Sequence, residues 1–204
     1  MLKPSQLFKT PKWPLQSVVA FSTTRKHPLS ELSSSNCSNN ETSKMPYDSF
    51  NLGAHVGDDQ CSVDNNRTLI KEFLPERANI QWLDQVHGAS VVRVESHSNE
   101  PITADAAITN QNDIALTVMT ADCLPILLSN SEETEVAAIH GGWRPLAAGI
   151  IENTVNEMKQ TDELFAWLGP CIGKSAFEVG SEVRSAFVNI SDELAAAFTQ
   201  IENG

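Results

Sequence analysis

The hydrophobic pattern of the chain centres on residues 114–151, where two apolar, strand-like runs are separated by a short polar gap. The first run alternates over 114–118 and is continuously apolar over 124–128. Such runs are typical of inner strands that are covered on both faces. Pro125 has no backbone N–H to donate to a neighbouring strand, so we expect this run to be irregular beside Cys123.

The region before this stretch contains shorter signals. Residues 17–23 are rich in β-branched and aromatic side chains, which predicts a buried strand. Residues 30–43 are almost entirely Ser, Asn, Glu and Thr, a composition that predicts a mobile surface insertion. A partial apolar face predicts a helix over 63–73. Residues 80–86 alternate as a strand, and the apolar run 91–95 follows so closely that the two predict a hairpin.

The region after His140 is predicted to be mainly helical. Pro145 suits a first helical position, and residues 165–168 predict a short strand. Residues 178–197 predict two helices that break near Asn189. One helix after Pro145 is indicated by four apolar residues at helical spacing: Ala147, Ile151, Val155 and Met158.

Composition narrows the class of protein. At 204 residues, with 41% hydrophobic and 20% charged residues, the chain is expected to form one soluble domain over 1–204. A net charge of −12 with 14 Lys and Arg argues against a nucleic-acid partner. No apolar run approaches the roughly 20 residues that span a bilayer, and the N-terminus lacks a signal-peptide core. We therefore expect a cytoplasmic protein without a membrane partner, in which the cysteines stay reduced.

Three residues with metal-binding or nucleophilic side chains stand at equivalent places in the pattern. His87, Cys123 and His140 each follow a strand-like run and lie at a turn, where a side chain can point into a shared cleft. Two imidazoles and a thiolate suit zinc, which accepts nitrogen and sulfur in a tetrahedron and leaves a fourth position for water or substrate. The same residues allow a metal-free interpretation, in which Cys123 is a nucleophile and one histidine is its base.

Two charged residues beside this triad are candidate catalytic groups. Arg144 lies at the predicted start of a helix, whose unpaired amides attract anions, and its guanidinium suits phosphate or carboxylate. Asp122 adjoins Cys123 and is placed to orient a bound water or to transfer a proton. The alternative for Asp122 is a turn-forming role, and the alternative for Arg144 is a solvated position in the first helical turn.

The segments around these residues form an ordered series that is more specific than any one of them. They are Gln85-Val-His-Gly, Thr120-Ala-Asp-Cys-Leu-Pro, Ile139-His-Gly-Gly-Trp-Arg, Trp167-Leu-Gly-Pro-Cys-Ile-Gly and Phe177-Glu-Val-Gly. The series resembles the YfiH family, which was long described as polyphenol oxidase or multicopper laccase and was later assigned purine nucleoside phosphorylase activity. The resemblance runs from about Val18 to Phe187.

The resemblance implies a fold, a cofactor and a reaction. The implied fold is α/β, with mixed sheets and helices of the YfiH-like type in a single domain. The implied reaction is phosphorolysis of adenosine, inosine and 5′-methylthioadenosine by inorganic phosphate, with adenosine deamination as a side activity. Zinc is the implied metal rather than copper. The implied site comprises the zinc ligands His87, Cys123 and His140 and the substrate-binding residues Asn51, Arg67, Gln85 and Arg144.

Several functions stay open at this point. Copper-dependent phenol oxidation would use the same ligands, although one His-Cys-His set is small for the several coppers of a laccase. The residues are also compatible with a metal-free Cys-His hydrolase and with a non-enzymatic binding protein. Family members continue past the equivalent of Gly204, so the resemblance implies a missing or shortened C-terminal segment. We expect a monomer or homodimer that acts on small molecules.

Overall fold

The computed structural model describes residues 8–28, 42–159 and 162–201. Within these residues the helices are α1 (Gln60–Lys71), α2 (Trp143–Ala147), α3 (Ile150–Glu157) and α4 (Ser181–Val188), followed by a 3₁₀ helix (Asp192–Ala197). The strands are β1 (Asn79–Gln81), β2 (Leu83–Asp84), β3 (Val91–Arg93), β4 (Ile102–Thr103), β5 (Ala106–Thr109), β6 (Ile114–Leu116), β7 (Leu124–Asn130), β8 (Val136–Gly141) and β9 (Leu164–Leu168).

A five-stranded sheet carries the centre of the fold, with its strands in the order β3, β5, β8, β7, β9. The long apolar runs form β7 and β8, which pair antiparallel and have a neighbour on each side, as the sequence predicted. One face packs against α3 through a buried cluster that includes Ile108, Ile139 and Ile150. Because side chains alternate along a strand, His140 points to the opposite face from Ile139.

The predicted hairpin between 80–86 and 91–95 is wrong. The first run is split at Trp82 into β1 and β2, and both pair parallel with later strands, β1 with β6 and β2 with β4. Strand β3 pairs parallel with β5 in the central sheet. The connecting turn does not close a ladder because the backbone N–H groups of residues 86–88 donate to the side chain of Asp105.

The predicted strand at 17–23 is also wrong. The segment makes one isolated bridge, between Lys9 and Ser22, and Val19 is 54% exposed. Its aromatic residue Phe21 instead stacks on Phe8 with ring centroids 5.1 Å apart, so the apolar content serves side-chain packing rather than a ladder. The predicted insertion at 30–43 lies outside the described residues except for 42–43.

The helix predictions hold in part. Helix α1 begins after Asp59, which accepts the N–H of Ser62 and caps it, so it starts earlier than the predicted 63–73. The single helix expected after Pro145 is two helices, since Gly149 between them is left-handed with φ 82°. Pro145 is the third residue of α2 rather than the first. The first four backbone N–H groups of a helix have no partner within it, so a proline at this position removes no helical hydrogen bond.

The C-terminal helices follow the prediction, with α4 capped by Asn189 and the second helix of the 3₁₀ type. Mixed parallel and antiparallel sheets with helices make an α/β fold, as the resemblance implied. Among the described residues, no helix has both the length and the apolar character needed to cross a membrane.

Candidate metal centre

Two loops and the end of strand β8 bring His87, Cys123 and His140 together at one end of the central sheet. His87 lies in the turn after β2, Cys123 in a bend directly before β7, and His140 near the end of β8. The potential ligand atoms of the three side chains lie within 4.8 Å of one another. The bend at Cys123 confirms the irregular backbone that Pro125 predicted beside it. Pro125 itself lies opposite His140 in the pairing of β7 with β8.

The geometry of the triad suits a tetrahedral metal ion. The two imidazole rings are nearly perpendicular, at 82°, with centroids 4.6 Å apart. A zinc ion held by two nitrogens and one sulfur would need these atoms about 3.5 Å apart, and small side-chain movements would bring the triad to that spacing. His140 is 2% exposed whereas His87 is exposed, so the centre lies between the core and solvent. A fourth ligand can therefore approach from the His87 side.

Asp105, directly before β5, is the residue that sequence reasoning missed. It is fully buried, and its Oδ1 lies 2.8 Å from Nδ1 of His140. The same carboxylate accepts backbone N–H groups from the turn that carries His87, at 3.3, 3.0 and 2.7 Å from residues 86, 87 and 88. The available signal was one acidic residue inside the apolar run 104–108. It links two of the three candidate ligands.

Two glycines after His140 allow the close approach of the ligand loops. A Cβ at Gly141 would lie 2.7 Å from the carbonyl oxygen of Leu124. A Cβ at Gly142 would lie 3.2 Å from both Sγ of Cys123 and Cδ2 of His87. The Gly141-Gly142 pair therefore lets the chain leave β8 in direct contact with the other ligands.

A cavity of about 930 Å³ opens on the sheet face that α3 does not cover, and the triad forms part of its wall. Its lining also includes Asn51 and Gln85, two of the residues that the resemblance placed at the substrate. Gln85 uses both ends of its amide on Met119, donating to its carbonyl at 2.8 Å and accepting its N–H at 2.7 Å. Asn51 is bound within its own loop, to Gly53 and Asp58.

Burial and charge shape the protonation of the triad. Burial raises the pKa of the Cys123 thiol, and the nearby carboxylates of Asp122 and Asp105 raise it further. Burial also lowers the pKa of His140, which its hydrogen bond to Asp105 opposes. The surroundings thus favour a neutral thiol and a neutral imidazole. A cation bound between them would reverse this preference at the thiol.

Comparisons with known proteins identify the family of this chain. A family model described as multi-copper polyphenol oxidoreductase laccase matches residues 35–204. The chain belongs to this family. A relative from Shigella flexneri, named purine nucleoside phosphorylase YfiH, is 43% identical over 192 residues, which cover 93% of this chain and 74% of the relative. The resemblance to the YfiH family is therefore confirmed.

Two further relatives of this YfiH-family chain support the assignment. A protein of Pseudomonas aeruginosa named purine nucleoside phosphorylase is 45% identical over 196 residues, covering 95% of this chain and 74% of that protein. The solved structure of a Neisseria meningitidis protein superposes with a TM-score of 0.75 at 40% identity, covering 81% of this chain and 68% of that one. The fold is thus the YfiH fold.

The charged candidates lie outside the immediate triad. Arg67 donates from Nε to the carbonyl of Leu52 at 2.8 Å, and its guanidinium lies 4.0 Å from the ring centroid of Trp82. Arg144 is exposed, with its guanidinium 4.3 Å from the ring of Trp143. Among the described residues, neither arginine belongs to the cavity lining, whereas the exposed Asp122 does. Because α2 has five residues, its dipole adds little to anion binding beside Arg144.

Proposed function

We propose that this YfiH-family chain is a zinc-dependent purine nucleoside phosphorylase. Its substrates in this proposal are adenosine, inosine and 5′-methylthioadenosine, with adenosine deamination as a side activity. The observation that carries the proposal is the convergence of His87, Cys123 and His140 on the wall of a cavity of about 930 Å³. Relatives at 43% and 45% identity bear the name purine nucleoside phosphorylase.

Each candidate residue has a role that its surroundings permit. Zinc held by His87, Cys123 and His140 would supply Lewis acidity and a template for the substrate. Arg144 is exposed two residues after Gly142 and binds phosphate at the edge of the site. Asp122, next to Cys123 on the cavity wall, holds or transfers the proton of the attacking group.

The nucleoside lies in the cavity, which Asn51 and Gln85 help to line. The side-chain amide of Asn51 holds its loop by donating to the carbonyl of Gly53 and accepting its N–H, and Asn51 presents that loop to the substrate. Arg67, stacked on Trp82, supports the loop through its hydrogen bond to Leu52. We assign the activity to the cytoplasm, where reducing conditions keep Cys123 a free thiol.

A metal-free hydrolase is less consistent with the site. A nucleophilic cysteine needs a substantial fraction of thiolate, which positive neighbours or helix N-termini provide. Here burial and two carboxylates raise the pKa of Cys123 instead. A thiol in these surroundings is a poor free nucleophile, and a cation is the partner that would stabilise its thiolate.

Copper-dependent phenol oxidation is the second candidate, because the matching family model is described as a multi-copper laccase. In the described part of the chain, the triad is the one group of His, Cys, Asp and Glu close enough to hold an ion. Three ligands hold a single ion, whereas a laccase needs several coppers. This candidate is therefore the weaker of the two.

Elemental analysis and nucleoside turnover separate these functions. We expect about one zinc per chain, and release of adenine from adenosine that requires added inorganic phosphate and yields ribose 1-phosphate. Inosine and 5′-methylthioadenosine should show the same phosphate dependence. Base release without phosphate, or phenol oxidation that appears only after copper loading, would contradict the proposal.

A further inference from the structure

Asp105 connects two metal-ligand segments that are far apart in the sequence. Its carboxylate is 0% exposed and lies within hydrogen-bond distance of four nitrogen atoms. Oδ1 contacts the backbone N of His87 at 3.0 Å and Nδ1 of His140 at 2.8 Å. Oδ2 contacts the backbone N of residues 86 and 88 at 3.3 and 2.7 Å.

We propose that Asp105 is a positioning residue that orients both histidines of the metal centre through one buried carboxylate. The inference rests on the proposed function in so far as it assumes that the triad binds a metal. It assigns Asp105 no contact with metal or substrate. Its role is to select the ring form of His140 and the backbone conformation of His87.

The ring of His140 is fixed by the chemistry of the contact. A carboxylate only accepts hydrogen bonds, so Nδ1 of His140 must carry the proton and donate it to Asp105. Nε2 then keeps its lone pair and is the atom left to face Cys123 and His87. The backbone N–H of His140 also donates to the carbonyl of Asp105, at 2.8 Å, so the two residues are joined at main chain and side chain.

The turn that carries His87 is fixed by the other contacts. His87 has φ 58°, a left-handed conformation that is uncommon for a residue with a side chain. Three consecutive N–H groups there point at one carboxylate, which offsets the cost of this conformation. Because residues 86–88 have these donors committed to Asp105, the orientation of His87 depends on the same buried side chain as that of His140.

The test uses the isosteric variant Asp105→Asn with Glu135→Gln as its matched control. Glu135 is also a buried carboxylate, and it forms an ion pair with Arg93. It lies directly before β8, at the end of that strand far from His140. An asparagine amide would face two of the four donors with its own NH₂ group. We expect the zinc dissociation constant, measured by competition with a chelator, to rise about 10–100-fold for Asp105→Asn. The control should keep the parent affinity.

A second measurement keeps the inference testable whatever the stability of the variant. Nitrogen-15 NMR of the histidine rings in the metal-free parent should show His140 protonated at Nδ1 and not at Nε2. In Asp105→Asn, an NH₂ group at the position of Oδ1 can only donate to Nδ1 of His140, so this orientation of the amide favours the opposite tautomer, with the proton on Nε2, where it blocks the lone pair that a metal needs. A parent protein with His140 protonated at Nε2 would overturn the inference.

The outcomes separate this inference from the proposed function. Phosphorolysis by a zinc-loaded parent together with unchanged zinc affinity in a folded Asp105→Asn would overturn the role of Asp105 alone. Zinc binding that depends on Asp105, in a protein that cleaves no nucleoside, would support Asp105 and reject the phosphorylase. If both Asp105→Asn and Glu135→Gln weaken zinc binding equally, the carboxylate supports the fold in general, and the positioning role is rejected.

Discussion

Gly142 packs so closely against Cys123 and His87 that a single added methyl group would contact both side chains. A Cβ there would lie 3.2 Å from Sγ of Cys123 and from Cδ2 of His87, so both side chains would have to move. The backbone at Gly142 has φ −66°, which alanine also adopts, so Gly142→Ala acts through the contacts of its Cβ, which also include Cδ of Pro145 at 3.4 Å. We expect zinc affinity to fall about tenfold, as for residues that orient metal ligands.

The control for that change is Gly173→Ala. A Cβ at Gly173 would meet nothing within 4 Å, so zinc affinity should not change. Chelator competition on both variants measures the effect. Equal zinc affinities in the two variants would show that the ligand loops have more freedom than the contact at Gly142 indicates.

Cys123 supplies the one sulfur ligand of the proposed centre. The variant Cys123→Ala leaves two imidazoles, which hold zinc too weakly to retain it through desalting. We expect zinc content, measured by elemental analysis, to fall from about one per chain to near zero. The variant Cys61→Ala removes an exposed thiol from α1 and should retain the metal. Full zinc occupancy in Cys123→Ala would show that the ligand set is wrong.

At the scale of elements, Gln85 holds the turn after β2 against the loop before β7. Its amide makes two hydrogen bonds to the backbone of Met119, in the manner of a strand pair. Loss of both bonds in Gln85→Ala should lower the free energy of unfolding by about 1–3 kcal/mol. Gln111→Ala removes an exposed glutamine whose side-chain amide donates to its neighbour Asn110, and should cost much less. Urea unfolding of the two variants compares these values.

The elements that the sequence predicted well are those whose apolar pattern is local. Strands β7 and β8 each coincide with a run of apolar residues, because an inner strand is covered on both faces. Strand β9 also coincides with a short apolar run, although it lies at the edge of the sheet and its side chains are half-buried or exposed. The hairpin prediction failed because pairing partners are chosen by contacts between distant residues. The side chain of Asp105 takes the N–H groups that a hairpin turn would have used. The helix after His140 was predicted too long because the left-handed Gly149 does not interrupt the apolar stripe.

The candidate site was partly predictable because some of its residues also follow local patterns in the sequence. Reactive residue types at the ends of strand-like runs indicated His87, Cys123 and His140, and the structure brings their ligand atoms within 4.8 Å. Asp105 could not be placed in this way, since its role depends on burial between two segments that the sequence does not show to be neighbours. The assignment of Gln85 and the arginines to substrate stays a prediction.

At the scale of the whole molecule, Glu133 ties the first described segment to the central sheet. It lies in the turn between β7 and β8, and its carboxylate accepts the backbone N–H groups of Gln16 and Ser17. That segment continues into residues 18–25, which form part of the cavity wall. The half-buried carboxylate of Glu133 therefore helps to hold a wall of the candidate active site in place.

These hydrogen bonds make the attachment sensitive to acid. The backbone N–H groups of Gln16 and Ser17 hold the pKa of Glu133 below its ordinary value near 4.5. A carboxyl whose pKa is lowered by folding stabilises the protein above its unfolded pKa, and this contribution is lost as the pH falls through the folded pKa. Glu133→Gln should therefore be less stable than the parent at neutral pH. The difference should shrink as the pH falls below about 4.5, because the parent then loses its charge.

Denaturant unfolding of the parent and Glu133→Gln across this pH range measures the difference directly. Glu132→Gln is the matched control, because Glu132 is an exposed carboxylate in the same turn. If the control reproduces the pH dependence, the effect is one of net charge, which a chain of formal charge −12 would show at any surface carboxylate. If only Glu133→Gln shows it, the hydrogen bonds to the first segment are the cause, and acid should loosen the cavity wall before it unfolds the sheet.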